Sequence, residues 1–114
     1  MSVSAAFTPT GNTVTFTANV SGSVPTPVQV PTTGGLGSNQ YRIVNTSSNI
    51  TVFLGVSTTS SGATTNAVVV STTAPSIPVF AASVEVMTLP PNAYFTGITA
   101  SGTAAVYITP GDGL

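Results

Sequence analysis

The chain has 114 residues, of which one is basic (Arg42) and two are acidic (Glu85 and Asp112), with no Lys, His or Cys. A single cation cannot make the phosphate-neutralising footprint that nucleic acid needs and disfavours adsorption to a membrane surface, and without Cys there is no disulfide and no thiolate metal site. The length suits one domain, residues 1–114, with a two-layer core, while Ser and Thr, 35 residues together, must supply most of the polar surface.

Residues 1–11, MSVSAAFTPTG, suit a short edge strand through Val3, Ala5 and Phe7 or an N-terminal arm. The opening lacks the charged start and apolar core of a secretion signal, and no apolar run reaches the length of a transmembrane helix. Residues 13–20 alternate cleanly, with Val14, Phe16, Ala18 and Val20 on one face and Thr13, Thr15, Thr17 and Asn19 on the other. That is a half-buried antiparallel strand with a hydroxyl-rich outer face. Pro25, Pro27 and Pro31 then bracket Val28-Gln29-Val30; each proline removes a ladder donor, so a strand here belongs at an edge. The Gly-rich residues 32–38 lack the spacing, the Lys and the following helix of a phosphate loop.

Residues 40–56, QYRIVNTSSNITVFLGV, hold more large apolar side chains than any comparable stretch and are predicted to be the centre of the core. Tyr41 and Ile43 alternate with Arg42 and Val44. After the polar residues 45–49, Ile50, Val52, Leu54 and Val56 alternate with Thr51, Phe53 and Gly55. The pattern predicts a hairpin. The N-x-S/T matches at Asn45 and Asn49 read as turn chemistry. Residues 57–65 read as a polar loop and 67–70 as a short strand covered on both faces. In residues 83–88, Val84 and Val86 are predicted to face the core, opposite Ser83, Glu85 and Met87. Pro90-Pro91-Asn92 makes a turn. Residues 94–99 and 103–109 are strands joined at Ala100-Ser101-Gly102 in a tight hairpin. No segment has a helical period, and about eight short strands with regular turn signals indicate a sandwich or barrel.

Catalysis is not expected. Hydroxyl nucleophiles abound, but no His or Lys can activate them, and Glu85 and Asp112 fall in a strand and a terminal tail rather than in a facing pair. No metal or other cofactor is expected either, Asp112 reading as part of a Pro-Gly-Asp-Gly turn. Arg42 and Glu85 read as solvated charges or as a pair across strands or subunits. Tyr41, Tyr94 and Tyr107 suit either a sugar-stacking platform or a strand face with hydroxyls in solvent. The scarcity of charge has two readings: a surface hydrated by hydroxyls alone, or a surface that lies largely against other subunits, where charge is costly to desolvate.

Three segments carry a resemblance: RIVNTSSNITVFLGVS (residues 42–57), the ATT-containing loop after it, and SVEVMTLPPNAYFTGITASGTAAVYITPGDG (residues 83–113). A polar turn into an apolar strand ending in LG, then VEV, LPP and ITASGTAAVYITPG, resembles the capsid decoration, or cement, proteins of tailed bacteriophages. The likeness covers about the last two-thirds of the chain. It implies an all-β fold, an antiparallel β-sandwich of jelly-roll type with about eight strands. It also implies a structural protein on the capsid exterior, made in the bacterial host cytoplasm and bound in many copies over junctions between major capsid protein subunits. A homo-oligomer, with a trimer as the working expectation, goes with it. The capsid or subunit contacts are expected at Val3, Ala5 and Phe7, at Val24, Val28 and Val30 of the Pro-rich segment, and at Arg42 and Glu85. Related sandwiches also occur in tails and fibres, so the alternative is a host-recognition or glycan-binding domain using residues 34–39 and 57–65.

Overall fold

The computed structural model describes residues 7–20, 22–30, 40–69 and 75–113. These contain nine strands and one short helix: β1 (Phe7–Pro9), β2 (Val14–Val20), β3 (Val28–Gln29), β4 (Gln40–Asn45), β5 (Val52–Ser57), α1 (Ser60–Asn66), β6 (Ile77–Val79), β7 (Val84–Thr88), β8 (Tyr94–Thr99) and β9 (Ala104–Gly113). The expectation of an all-β chain holds. The strands form one mixed sheet in the order β6-β5-β8-β2-β9-β4-β7, with β1 beside β9 and β3 beside β8, nearly closed into a barrel. Strand β2 serves both halves of it. Val14 to Ala18 pair antiparallel with β9, and Asn19 and Val20 pair parallel with β8. The sheet thus has two walls, β7-β4-β9-β2 and β6-β5-β8, that meet at β2.

The two predicted hairpins are not hairpins. Strand β4 pairs with β7 and β9, whereas β5 pairs with β6 and β8. Residues 46–51 therefore carry the chain from one wall to the other as an arch. Asn45 makes this possible. Its side chain is buried, its Nδ2 donates to the carbonyls of Ile50 (2.8 Å), Val79 (3.0 Å) and Phe80 (3.2 Å), and its Oδ1 accepts from the Ser47 N–H (3.1 Å). Ser47 Oγ then accepts from the Ile50 N–H at 3.0 Å. Alternation reports which residues share a face, not which strand lies alongside, and both arrangements fit the same pattern. Strands β8 and β9 also lie in different walls; Gly102, at φ +77°, makes the corner, and Thr99 Oγ1 donates to its carbonyl at 2.6 Å.

Because the arches alternate walls, inward side chains from both interleave in one core. Phe16 and Ala18 of β2, Tyr41 and Ile43 of β4, Val52 and Leu54 of β5, Phe95 of β8 and Val106 and Ile108 of β9 are all buried there. Tyr41 and Phe95 meet edge-on with centroids 5.1 Å apart, and Tyr41 donates its hydroxyl proton to the Pro90 carbonyl at 2.6 Å. Residues 40–56 supply Tyr41, Ile43, Val52 and Leu54 to this core, which they share with β2, β8 and β9 rather than centre alone.

Residues 60–66 are a helix, not a loop. Thr59 caps it, its hydroxyl accepting from the Gly62 N–H at 3.1 Å, and the Ala67 N–H closes the last turn on the Ala63 carbonyl at 3.1 Å. Under two turns long and made of Ser, Gly, Ala, Thr and Asn, it has neither the propensity nor the length to signal itself. Packing holds it: α1 lies on β5 and β8, and at Gly55 a β-carbon would stand 2.6 Å from the Ala67 nitrogen and 2.8 Å from its Cβ. Ala67 caps the helix and is buried, and Val69 is exposed, so the strand predicted over residues 67–70 is absent as far as Val69; Val70 lies outside the described residues.

Candidate functional site

The two walls are finished differently on their outer faces. On the β5–β8 wall, α1 covers Gly55, and Ala63, Ala67 and Ile98 are buried outside the main core. The Pro-rich residues are laid on the same wall: Thr96 Oγ1 donates to the Pro25 carbonyl at 2.9 Å, and the Val30 N–H donates to Ala93 at 3.0 Å. The outer face of β7-β4-β9-β2 carries no such cover among the described residues.

Register sets what this open face presents, since residues directly opposite each other across a strand pair share a face. Val84, Val44, Tyr107 and Thr15 form one row across the four strands. Val86, Arg42 and Thr109 form the next, and Thr13, one residue before β2, joins it by sharing a 2.7 Å hydrogen bond with the Thr109 hydroxyl. Val84 is 53% exposed, Tyr107 43% and Val86 40%. The predicted orientation of β7 is therefore reversed. Glu85 and Met87 stand opposite the buried Ile43 and Tyr41, and Met87 and Leu89 pack against the core. Val84 and Val86 point outward. The sequence signal was the parity of Met87 and Leu89, the two largest apolar side chains in the segment; the β-propensity of valine hid it.

The turn ahead of β7 presents a further apolar group. Phe80 is 67% exposed, yet its carbonyl is pinned by Asn45 Nδ2 and by Ser83 Oγ (2.6 Å). Ala82, held at φ +54°, donates its N–H to the Ser47 carbonyl at 2.7 Å. A bulky aromatic on a fixed backbone loses little further entropy when a partner covers it.

The residues expected to touch a capsid or a neighbouring subunit do not converge. Val3 and Ala5 lie outside the described residues. Phe7 belongs to β1, an edge strand on β9, and its ring lies against Gly111. Val24 is half-buried, and Val28 pairs with Phe95 and packs against the core. Val30 is wholly buried, so its side chain is not available to a partner. Arg42 is exposed on the open face. Glu85 is also exposed but stands on the inner side of edge strand β7, so the two charges lie on opposite faces of the wall. Asp112 continues β9 and pairs with Thr8, rather than forming a free tail.

The tyrosines do not form a platform. Tyr41 is in the core, where burial pushes its phenol above the usual range and the nearby backbone N–H groups of Ala93 and Asn92 pull it partway back; Tyr94 and Tyr107 sit on different walls. An open groove of about 310 Å³ lies between the two arch loops, lined by Asn49, Ile50, Thr51, Phe53, Ala100 and Ser101. It contains no charge. Among the described residues no three metal-ligating side chains come together, and no helix is long and apolar enough to cross a membrane.

No family model, no curated protein and no solved structure gives a significant match to the chain.

Proposed function

We propose that this chain is a structural virion protein that decorates the outer surface of a phage capsid and stabilises contacts between major capsid protein subunits, without enzymatic activity or cofactor. Its barrel is then a variant of the antiparallel jelly-roll sandwich in which β2 bridges the two sheets; the arches that pass between the walls support that reading. The observation that carries the function is the open face, apolar and hydroxylated with Arg42 as its one charge. Interface cores have this composition, depleted of Lys, Glu and Asp and enriched in aromatic residues and Arg. Four strands about 4.8 Å apart and five residues at about 3.3 Å each give a patch of roughly 300 Å². That is well under the roughly 800 Å² per partner of a stable pairwise complex. Single contacts of this size are weak, and repetition over a symmetric shell makes them sufficient. Supporting this further is the resemblance of residues 42–57 and 83–113 to decoration proteins, with a homotrimer as the assembly.

Quantitative mass spectrometry of purified particles tests the proposal. The chain is expected at near-stoichiometric ratio to the shell protein, with a tag on it seen over the head by electron microscopy; confinement to the tail tip would refute it. The groove between the arch loops favours a second reading, a fibre or tail domain that binds glycans. Phe53 offers a ring, and Asn49, Thr51 and Ser101 offer neutral hydrogen-bonding groups. Glycan-array binding lost on Ser101→Trp would support that reading over the first.

A further inference from the structure

We infer that the open face recognises a protein surface bearing a carboxylate set among apolar side chains, with Arg42 as the group that meets it, and that it does not pair with the same face of a second copy. The inference rests on the decoration reading and names the chemistry of the partner at that face.

Arg42 stands inside the face, not at its rim. Val86 is across one strand pair and Thr109 across the other, with Val44 two residues along β4. Any partner that covers Val84, Val86 and Tyr107 also strips water from this guanidinium. A desolvated charge left unpaired opposes binding strongly, whereas a carboxylate that meets it in bidentate geometry turns it into a specificity element.

The chain cannot supply that carboxylate to itself through the same face. In a contact of this face with itself the partner copy presents the identical patch, and Glu85 is on the other side of β7, in register with Ile43 rather than with Arg42; a cyclic trimer joins two different surfaces, and one that closes away from this face leaves it free for the partner. Strand addition at the sheet ends is also opposed. The terminal strand β6 carries Pro78, and the terminal strand β7 carries Glu85 on its inner side; proline and inward-pointing charge both disfavour edge-to-edge pairing. These features favour a face-on partner with complementary charge. Nucleic acid does not qualify, because one cation is too few.

The test is sedimentation of the full chain with empty shells, prepared without it, of the particle that carries it, alongside analytical ultracentrifugation of the chain alone. Wild type is expected to bind. Arg42→Ala should weaken binding roughly 30-fold or more, as expected when one partner of a covered charge pair is removed, with Arg42→Lys recovering part of it. Val84→Thr with Val86→Thr should weaken it independently. All these side chains are exposed, and unchanged thermal melting certifies the fold. Wild-type binding with every variant equal to it would overturn the inference and leave the decoration reading standing. No wild-type binding would remove both. An oligomer of the isolated chain that dissociates in the Val84/Val86 variant would make the face a self-contact and overturn the inference; an oligomeric state unchanged by these variants supports it.

Discussion

Asn45 is the residue on which the arch between β4 and β5 depends, and its replacement by Asp tests that dependence with almost no change in shape. The amide donates to three carbonyls, those of Ile50, Val79 and Phe80, at 2.8 to 3.2 Å. A carboxylate at the same place donates nothing and sets its own charge against three oxygens. The Phe80 carbonyl keeps Ser83 Oγ, so two acceptors lose the amide without a replacement side chain. At roughly 0.5–1.5 kcal/mol for each hydrogen bond lost, with the cost of a buried unpaired charge beside carbonyl oxygens added, the deficit at neutral pH is about 3–5 kcal/mol. Domain stabilities are about 5–15 kcal/mol in total. The deficit also depends on pH. Burial and the surrounding carbonyls favour the protonated acid, so the new carboxyl titrates above the ordinary value of about 3.9 in the folded state. Protonated, it donates one hydrogen bond and restores part of the arch. The variant is thus closest to wild type below about pH 3.9 and loses stability as pH rises through the raised folded value. Urea denaturation from pH 3 to 8, with Asn45→Leu as a comparator that cannot titrate, measures both effects. A deficit under 1 kcal/mol at pH 7, or one equal at pH 3 and pH 7, would refute the reasoning.

Three further outcomes follow from single contacts. Gly55→Ala places a β-carbon into the backbone of α1, 2.6 Å from the Ala67 nitrogen; expect a loss of about 1–3 kcal/mol in chemical denaturation, with amides of residues 62–67 exchanging faster than the rest. Tyr41→Phe removes the bond to the Pro90 carbonyl and should cost roughly 1–2 kcal/mol. Because burial holds the Tyr41 phenol above its ordinary value, the folded state is favoured below pH about 10 and loses stability as pH rises through the raised value; that alkaline loss should be smaller in Tyr41→Phe, and identical alkaline profiles would exclude Tyr41 as its source. Ala82→Gly releases a residue held at φ +54°. Left-handed backbone costs a non-glycine residue about 1–2 kcal/mol, partly offset by the entropy of glycine, so the melting midpoint should rise by the equivalent of roughly 0.5 kcal/mol.

What the sequence revealed and what it hid divide along a physical line. Phe16 and Ala18 on β2, Ile43 on β4 and Leu54 on β5 were readable as core because period-two alternation depends only on local geometry. The partners of β4 and β5 were not readable, because Asn45 makes an arch by bonding to Val79 and Phe80, more than thirty residues away in the chain. Helix α1 was hidden because its stabilising contact, Gly55 against Ala67, is tertiary. The open face was missed for a sharper reason. Val84 and Val86 have the composition of core residues, and an edge strand with an exposed apolar face differs from a core strand only in what lies opposite it.

The different finish of the two walls bears on why the chain tolerates so little charge. On the β5–β8 wall the chain covers its own outer face with α1 and the residues near Pro25, and Ala63, Ala67, Thr96 and Ile98 reach the low exposure of a core. Covering apolar area is worth about 25 cal/mol per Å². A monomer under selection for solubility alone would place charged residues where no cover exists. Here Tyr107, Val84 and Val86 occupy those positions, and threonine rather than lysine or glutamate fills the places between them. Hydroxyls hydrogen-bond within the face, as Thr13 does with Thr109, so they can be buried without leaving an unpaired charge. Arg42 is the exception to that pattern on this face, and an exposed cation among removable water and satisfied hydroxyls is the feature a complementary carboxylate would select.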